Sequence, residues 1–300
     1  MGLLGPMRGG GWSHHMEKEI KLIKKVNRLL KRLGCPRWLH HYGPKTYEFL
    51  EHLSALLIKS FCRLSYRRIV QLFDLLGTRC PSKSALQYTA KRLDSNFWNR
   101  VLKITCGNSY LVAIDSTGLS RTNPSYHYLK RIDGKMPKIP IKLSVAFDTR
   151  KKKYCAAKIR ILPAHDIKDA KILIKKSKPK VIVADKAYDA GWLHQFCYDN
   201  KIRSVIPIRN CGKPRHKNFS IRMKAAKIFK MRTYHRRELV ESGNSSNKRK
   251  YGSSANSKTV RTIRTEIYAR LACHNLFGYI TRLLGQSPPI LNLYKLVNIY

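Results

Sequence analysis

Carboxylates are what this sequence has fewest of for its size. Asp and Glu total 17 against 61 Lys and Arg in 300 residues, a formal net charge of +44. Self-repulsion of this order strains a compact chain unless a polyanion neutralises it. Nucleic acid fits best, because each Lys or Arg set on a phosphate releases condensed counterions; an anionic membrane surface and ribosome packing are the rival partners. A disordered basic tail is excluded by the 43% of hydrophobic residues. No CxxC pair exists among the eight scattered cysteines, which argues against a zinc ribbon or a secreted disulfide framework and for a reducing cytoplasm. No apolar run approaches the roughly 18 residues of a membrane span, so no membrane is expected. The opening MGLLGPMRGGGWSHHM lacks the apolar stretch of a signal peptide, with Met7 and Met16 as alternative starts. None of the 11 histidines has Arg three positions later, and no His-apolar-His element exists. The first absence removes tyrosine recombinases, the second rolling-circle nucleases.

The chain is long enough for two domains, one small and one larger. Residues 17–104 read as an all-α, DNA-binding region. EKEIKLIKKVNRLLKRLG repeats apolar residues at helical spacing with Lys and Arg on the other face, and Gly34 stops it. TYEFLEHLSALLIKSFCRL follows. SYRRIVQLFDLLG then ends at Gly77, and after Pro81 and an N-capping Ser82 a second helix runs to about Leu93. This pair has the outline of a helix-turn-helix, with Lys83, Ser84, Gln87 and Lys91 facing outward to DNA. A plain bundle with a solvated basic face is the alternative; the overall charge favours DNA contact.

From residue 105 the period changes, and 105–285 read as an α/β domain, with 286–300 as a tail. YLVAID, IKLSVAFD and KYCAAKIRIL predict three neighbouring strands. A helix over His165–Lys176, the strand KVIVAD, a helix over Ala190–Asn200 and the strand SVIPI follow. That order makes a mixed sheet flanked by helices. Beyond Ile208 the sequence predicts a basic helical region, a polar break at SGNSSNKRKYGSSANS and a last helix over Thr259–Leu284.

In so basic a chain each acid is conspicuous. LVAID and VIVAD place Asp115 and Asp185 at the ends of two buried strands, where α/β sheets open into one crevice. Converging carboxylates repel unless a cation lies between them, and hard oxygen donors suit Mg²⁺ or Mn²⁺. Each Asp could instead merely cap a turn. For a third acid, residues 200–265 offer only Glu238 and Glu241. Tyr234, Arg237, Glu241 and Lys248 stand as Y-x2-R-x3-E-x6-K. On a helix the first three fall within about 60° of one another, presenting a ligand flanked by a cation and a phenol. Glu238 turns about 100° from Arg237, so Glu241 is preferred. The bland alternative is a charged surface helix with an ordinary Arg237–Glu241 pair.

These residues together resemble the insertion-sequence DDE transposases that carry the Y-R-E-K signature. The resemblance covers about Tyr110–Leu276 and rests on AIDSTGL, VIVADKAYDA and the four spaced residues. It implies a ribonuclease-H-like catalytic domain that binds double-stranded DNA, both element ends and target. It implies two divalent ions, Mg²⁺ or Mn²⁺, held by Asp115, Asp185 and Glu241, about 3.5–4 Å apart. Asp115 would bridge them; water and then the freed 3′-OH would attack phosphorus. Residues matching Arg237 and Lys248 contact phosphates near the cut. Tyr234 is open between base stacking, phosphate bonding and packing, and His127 is read as structural or DNA-contacting, outside the metal site. A prokaryotic, nucleoid-associated setting and a homodimer on DNA follow from the resemblance. The 33 residues from Ile208 to Glu241 (241 − 208) leave room for only a small insertion before the glutamate. The rival classes are a ribonuclease-H-like nuclease or junction resolvase without strand transfer, and a catalytically inactive DNA-binding regulator.

Overall fold

The computed structural model describes residues 22–40, 42, 44–121, 141–161, 163–209 and 219–277. Among the described residues, five helices precede the sheet: α1 (Leu22–Leu33), α2 (Phe49–Phe61), α3 (Tyr66–Leu75), α4 (Lys83–Arg92) and α5 (Ser95–Cys106). Their boundaries follow local chemistry. Ser65, Ser82 and Asp94 cap α3, α4 and α5 by accepting the N–H groups of Arg68, Ala85 and Phe97. Gly77 and Gly107 follow α3 and α5 with φ of +63° and +74°, a left-handed backbone that a side chain would strain.

The sheet comprises β1 (Leu111–Arg121), β2 (Ile141–Asp148), β3 (Lys153–Arg160), β4 (Val181–Ala184) and β5 (Arg203–Val205). Its order is β3-β2-β1-β4-β5, and the two-residue β6 (Ser254–Ala255) pairs with the far end of β1. β1, β2 and β3 pair antiparallel; β4 and β5 join parallel. This is the mixed sheet flanked by helices that the sequence predicts. Helices α6 (Ile167–Ser177) and α7 (Gly191–Asp199) supply the crossovers, as parallel strands require. Longer helices further along the described residues are α8 (Phe219–Lys227), α9 (Glu238–Tyr251) and α10 (Val260–Phe277).

Strand alternation divides the core. Val112 and Ile114 face the cluster built with Leu173, Ile174 and Leu193 of α6 and α7. Leu111 and Ala113 face the other cluster, which runs without a break from Val26 of α1 to Phe277 of α10. The leading helices therefore share a core with the sheet. Polar pins fix the junction: Asn99 accepts the N–H of Ala157 at 2.9 Å, and the Tyr268 hydroxyl donates to the Ala157 carbonyl at 2.8 Å.

Two expectations about the C-terminal half need correction. The polar break begins too early, because α9 runs through SGNSSNKRKY to Tyr251 and only Gly252 ends it. Polarity here marks close packing: Gly243, Asn244 and Asn247 are buried, and a Cβ on Gly243 would meet Phe147 Cζ at 2.9 Å. Nor do Tyr234 and Glu241 share one regular helix. A single turn at Met231–Tyr234 passes into a 3₁₀ turn at His235–Arg237 before α9 begins. The expected helix to Leu284 and the tail 286–300 extend outside the described residues, as does His127.

Candidate active site

Two of the three expected acids leave the sheet side by side. Ala184, the last residue of β4, stands opposite Ile114 of β1, and the next residue of each strand is the acid. Asp115 does not end its strand, however. β1 continues, paired with β2 from Asp115↔Val145 to Leu119↔Ile141. The element that stops here is β4, because Asp185 turns the chain by accepting the N–H of Lys186 at 2.7 Å. Beyond that point β1 has lost its β4 neighbour, and Asp115 stands at an open flank of the sheet.

Asp115 shares the face of Ala113 and therefore points toward α9. It is half-buried, and it accepts the Nδ2–H of Asn244 at 3.0 Å. Burial raises its pKa above the ordinary 3.8, and Glu241 adds to the rise; the Ser116 and Asn244 hydrogen bonds and Arg237 oppose it. Asp185 is exposed. It borders a cleft of about 520 Å³ that Pro207, Phe229 and Tyr234 also line.

Glu241 is half-exposed and ion-paired to Arg237 one turn earlier. Burial opposes the charge on Arg237, yet its pKa is raised, by Glu241 first and then by Tyr234 and Asp185. Arg237 contacts Glu241, and its charge also favours the ionised form of Asp115. Among the described residues no group of three or more His, Cys, Asp or Glu stands close enough to hold a metal ion. Glu238 points elsewhere, into a cavity with Arg150, Lys152 and Arg232, and lies 3.6 Å from His235. Lys248 is half-buried. On α9 it shares a stripe with Glu241 and Asn244, because seven residues nearly close two turns. Tyr234 packs its ring on Phe229 at 5.5 Å with Arg237 at 5.8 Å from its centroid. Lys83, Gln87 and Lys91 are exposed on α4, a helix packed against α2, α3 and α10.

Comparison with known proteins decides the family. The family model described as "Transposase DDE domain" matches residues 107–276, more than half of the chain. This chain belongs to that family. Among solved structures, the cryo-EM structure of a piggyBac transposase synaptic complex with hairpin DNA is similar over 95% of this chain and 76% of that one, at 10% identity and a TM-score of 0.42. Among curated proteins none matches.

Within the DDE domain two supporting residues escaped the sequence reading. Asn244 lies three residues after Glu241, on the same helical face, but the expected break at Ser242 hid that relation. Asp189 lies four residues after Asp185 in the same VIVADKAYDA segment, and its side chain is fully buried. It accepts from Arg222, from the Arg209 N–H at 2.8 Å and from His194 at 3.2 Å. Burial alone would raise its pKa, but these partners, Arg222 foremost, hold it below 3.8. His194 in turn meets Ser204 of β5 at 2.9 Å. This buried chain fastens the turn that carries Asp185 to α7, β5 and α8 of the DDE domain.

Proposed function

We propose that this chain is a transposase that binds the ends of a mobile DNA element and catalyses DNA cleavage and strand transfer, with Asp115, Asp185 and Glu241 as its catalytic acids. The observation that carries this reading is geometric: Asp115 and Asp185 directly follow paired residues of β1 and β4, and α9, which carries Glu241, is bonded to Asp115 through Asn244. An all-oxygen donor set suits hard divalent cations, and two Mg²⁺ or Mn²⁺ ions are proposed. The chemistry supplied when they are bound is activation of the attacking oxygen and stabilisation of the leaving one. Fitting them requires Glu241 to exchange Arg237 for metal. That exchange frees the guanidinium to neutralise phosphate, a task its planar fork suits. Lys248 adds a second positive charge from the same stripe of α9. Tyr234, beside Asp185, contacts a base or phosphate. Asn244 keeps the Asp115 carboxylate oriented.

The proposed division is a DNA-binding region over 17–104, its helix-turn-helix presenting Lys83, Gln87 and Lys91, and a catalytic domain over 105–285. A homodimer assembled on DNA in the prokaryotic cytoplasm, associated with the nucleoid, completes the proposal. The test incubates the protein and its Asp115→Ala, Asp185→Ala and Glu241→Ala variants with a labelled element end, target DNA and Mg²⁺. Joined products from the wild type, lost in each variant with end binding kept, are the expected result. Nicks without joining identify a nuclease or resolvase. Intact but shifted DNA identifies an inactive regulator. Normal cutting by Glu241→Ala, with none by Glu238→Ala, reassigns the third acid.

A further inference from the structure

A groove of about 1070 Å³ lies on the opposite side of α9 from the three acids and contains none of them. Measured round α9 from Glu241, the groove-lining Gly243, Ser246 and Lys250 stand about 140–200° away, whereas Asn244 and Lys248 stay within about 60°. α9 is thus a wall with the acids on one side and the groove on the other.

The groove's chemistry is uniform. From α1 come Lys25, Arg28 and Arg32, whose spacing of three and four puts them on one face while Val26, Leu30 and Leu33 are buried. From the β2–β3 turn come Arg150 and Lys152, both exposed. No Asp or Glu among the described residues lines the groove. A second cavity shares Arg150 and Lys152 and continues past Arg232 and Arg236. Burial first, then the neighbouring charges of Lys153 and Arg28, hold the Lys25 ammonium below its ordinary pKa of 10.5.

The turn is held in shape before any ligand arrives. The buried Asp148 carboxylate accepts the N–H groups of Arg150 and Lys151 at 2.8 Å each. The ammonium groups of Lys151 and Lys153 donate to the carbonyls of Cys106 and Thr105, both at 3.0 Å. Fixing the backbone in this way reduces the ordering cost of binding. The amide lining the groove, Asn275, has its oxygen on the Tyr154 N–H and its nitrogen on Tyr154 and Thr105. Both of its N–H groups are spent inside the protein, so it has no donor left for the paired contact by which amides read base edges.

We propose that this groove holds the sugar–phosphate backbone of a DNA duplex away from the point of cleavage and without regard to base sequence, an inference that rests on the DNA-processing function above. Phosphates spaced along a strand relieve repulsion among Lys25, Arg28, Arg32, Arg150 and Lys152, which line one groove with no Asp or Glu among its described lining residues.

The test measures binding of a 20-base-pair duplex of arbitrary sequence across a salt titration. The groove variant is Arg28→Gln, Arg32→Gln, Arg150→Gln and Lys152→Gln combined, all exposed positions. Its control carries the same charge loss at the exposed Lys168, Lys171, Lys175 and Lys180, each changed to Gln. Each phosphate contact adds about 0.9 to the slope of log K against log salt, so the groove variant's slope is expected to shrink by about 2–4 and the control's to hold. An unchanged slope in the groove variant, or equal loss in both, overturns the proposal. The Arg28/Arg32 and Arg150/Lys152 pairs, each tested alone, give about half the effect and cover the case in which the fourfold variant does not fold. A failure of the catalytic reading is separable: it abolishes strand joining and leaves these slopes intact.

Discussion

Replacing Asn244 with Ala tests the link between α9 and Asp115 most directly. Asn244 is 5% exposed, and its Nδ2–H is donated to the Asp115 carboxylate at 3.0 Å. A hydrogen bond to a charged group is worth about 1.5–3 kcal/mol net. Asp115 is only half-buried, so solvent replaces part of the loss and the low end, about 1.5 kcal/mol, applies. The bond favours the ionised carboxylate, so its removal must raise an already raised pKa, strengthening proton binding about tenfold. Cleavage needs the ionised form, so the acid limb of its pH profile should move to higher pH while the alkaline plateau survives. A carbon-detected titration of the Asp115 carboxyl should move in parallel. Raised proton affinity in the native state also means that Asp115 itself favours folding more as pH falls. Asn244→Ala should therefore lose less stability at pH 5 than at pH 8. An unchanged acid limb together with an unchanged Asp115 titration would refute the assignment of Asn244 as the residue that positions Asp115.

Two further outcomes concern stability. His52 and His274 are buried and held neutral, with pKa lowered by burial to about 4 from an ordinary 6.5. Between those values the unfolded chain binds the proton and the native one does not. Stability should fall as pH drops from 6.5 toward 4 and then level off, by about 3 kcal/mol for each histidine. Urea midpoints across that range check this, and His274→Gln should flatten the curve. Glu266 and Arg270 form a pair with 4% and 5% side-chain exposure, in which Glu266 also accepts the Asn256 and Ser257 N–H groups. Glu266→Gln should cost about 3–5 kcal/mol in denaturant unfolding, because it leaves the Arg270 charge buried without its partner. A loss under 1 kcal/mol in that measurement contradicts the burial argument.

The sequence alone determined the family resemblance and the fold class and nominated a nucleic-acid partner and three candidate acids, for reasons that are local. Net charge needs no coordinates, and apolar runs ending in Asp announce buried strands. Ser65, Ser82 and Asp94 mark helix starts because a cap acts within three residues. The Arg237–Glu241 pairing was also legible, since neighbours four apart meet on any helix. What the sequence misread is equally physical. SGNSSNKRKY looks like a break because helix propensity counts only local cost, whereas α9 is held by contacts between Gly243 and Phe147 and between Asn244 and Asp115, more than ninety residues apart in the chain. The strand beyond Asp115 was invisible because Ser116–Gly118 are polar or small, and only pairing with β2 keeps them extended. Tertiary structure alone decided that Asn244 of α9 bonds Asp115, that Asp189 locks the turn behind Asp185, and that α9 separates those acids from a basic groove. Each of these depends on which distant segments meet, and that is set by packing one core across the whole chain.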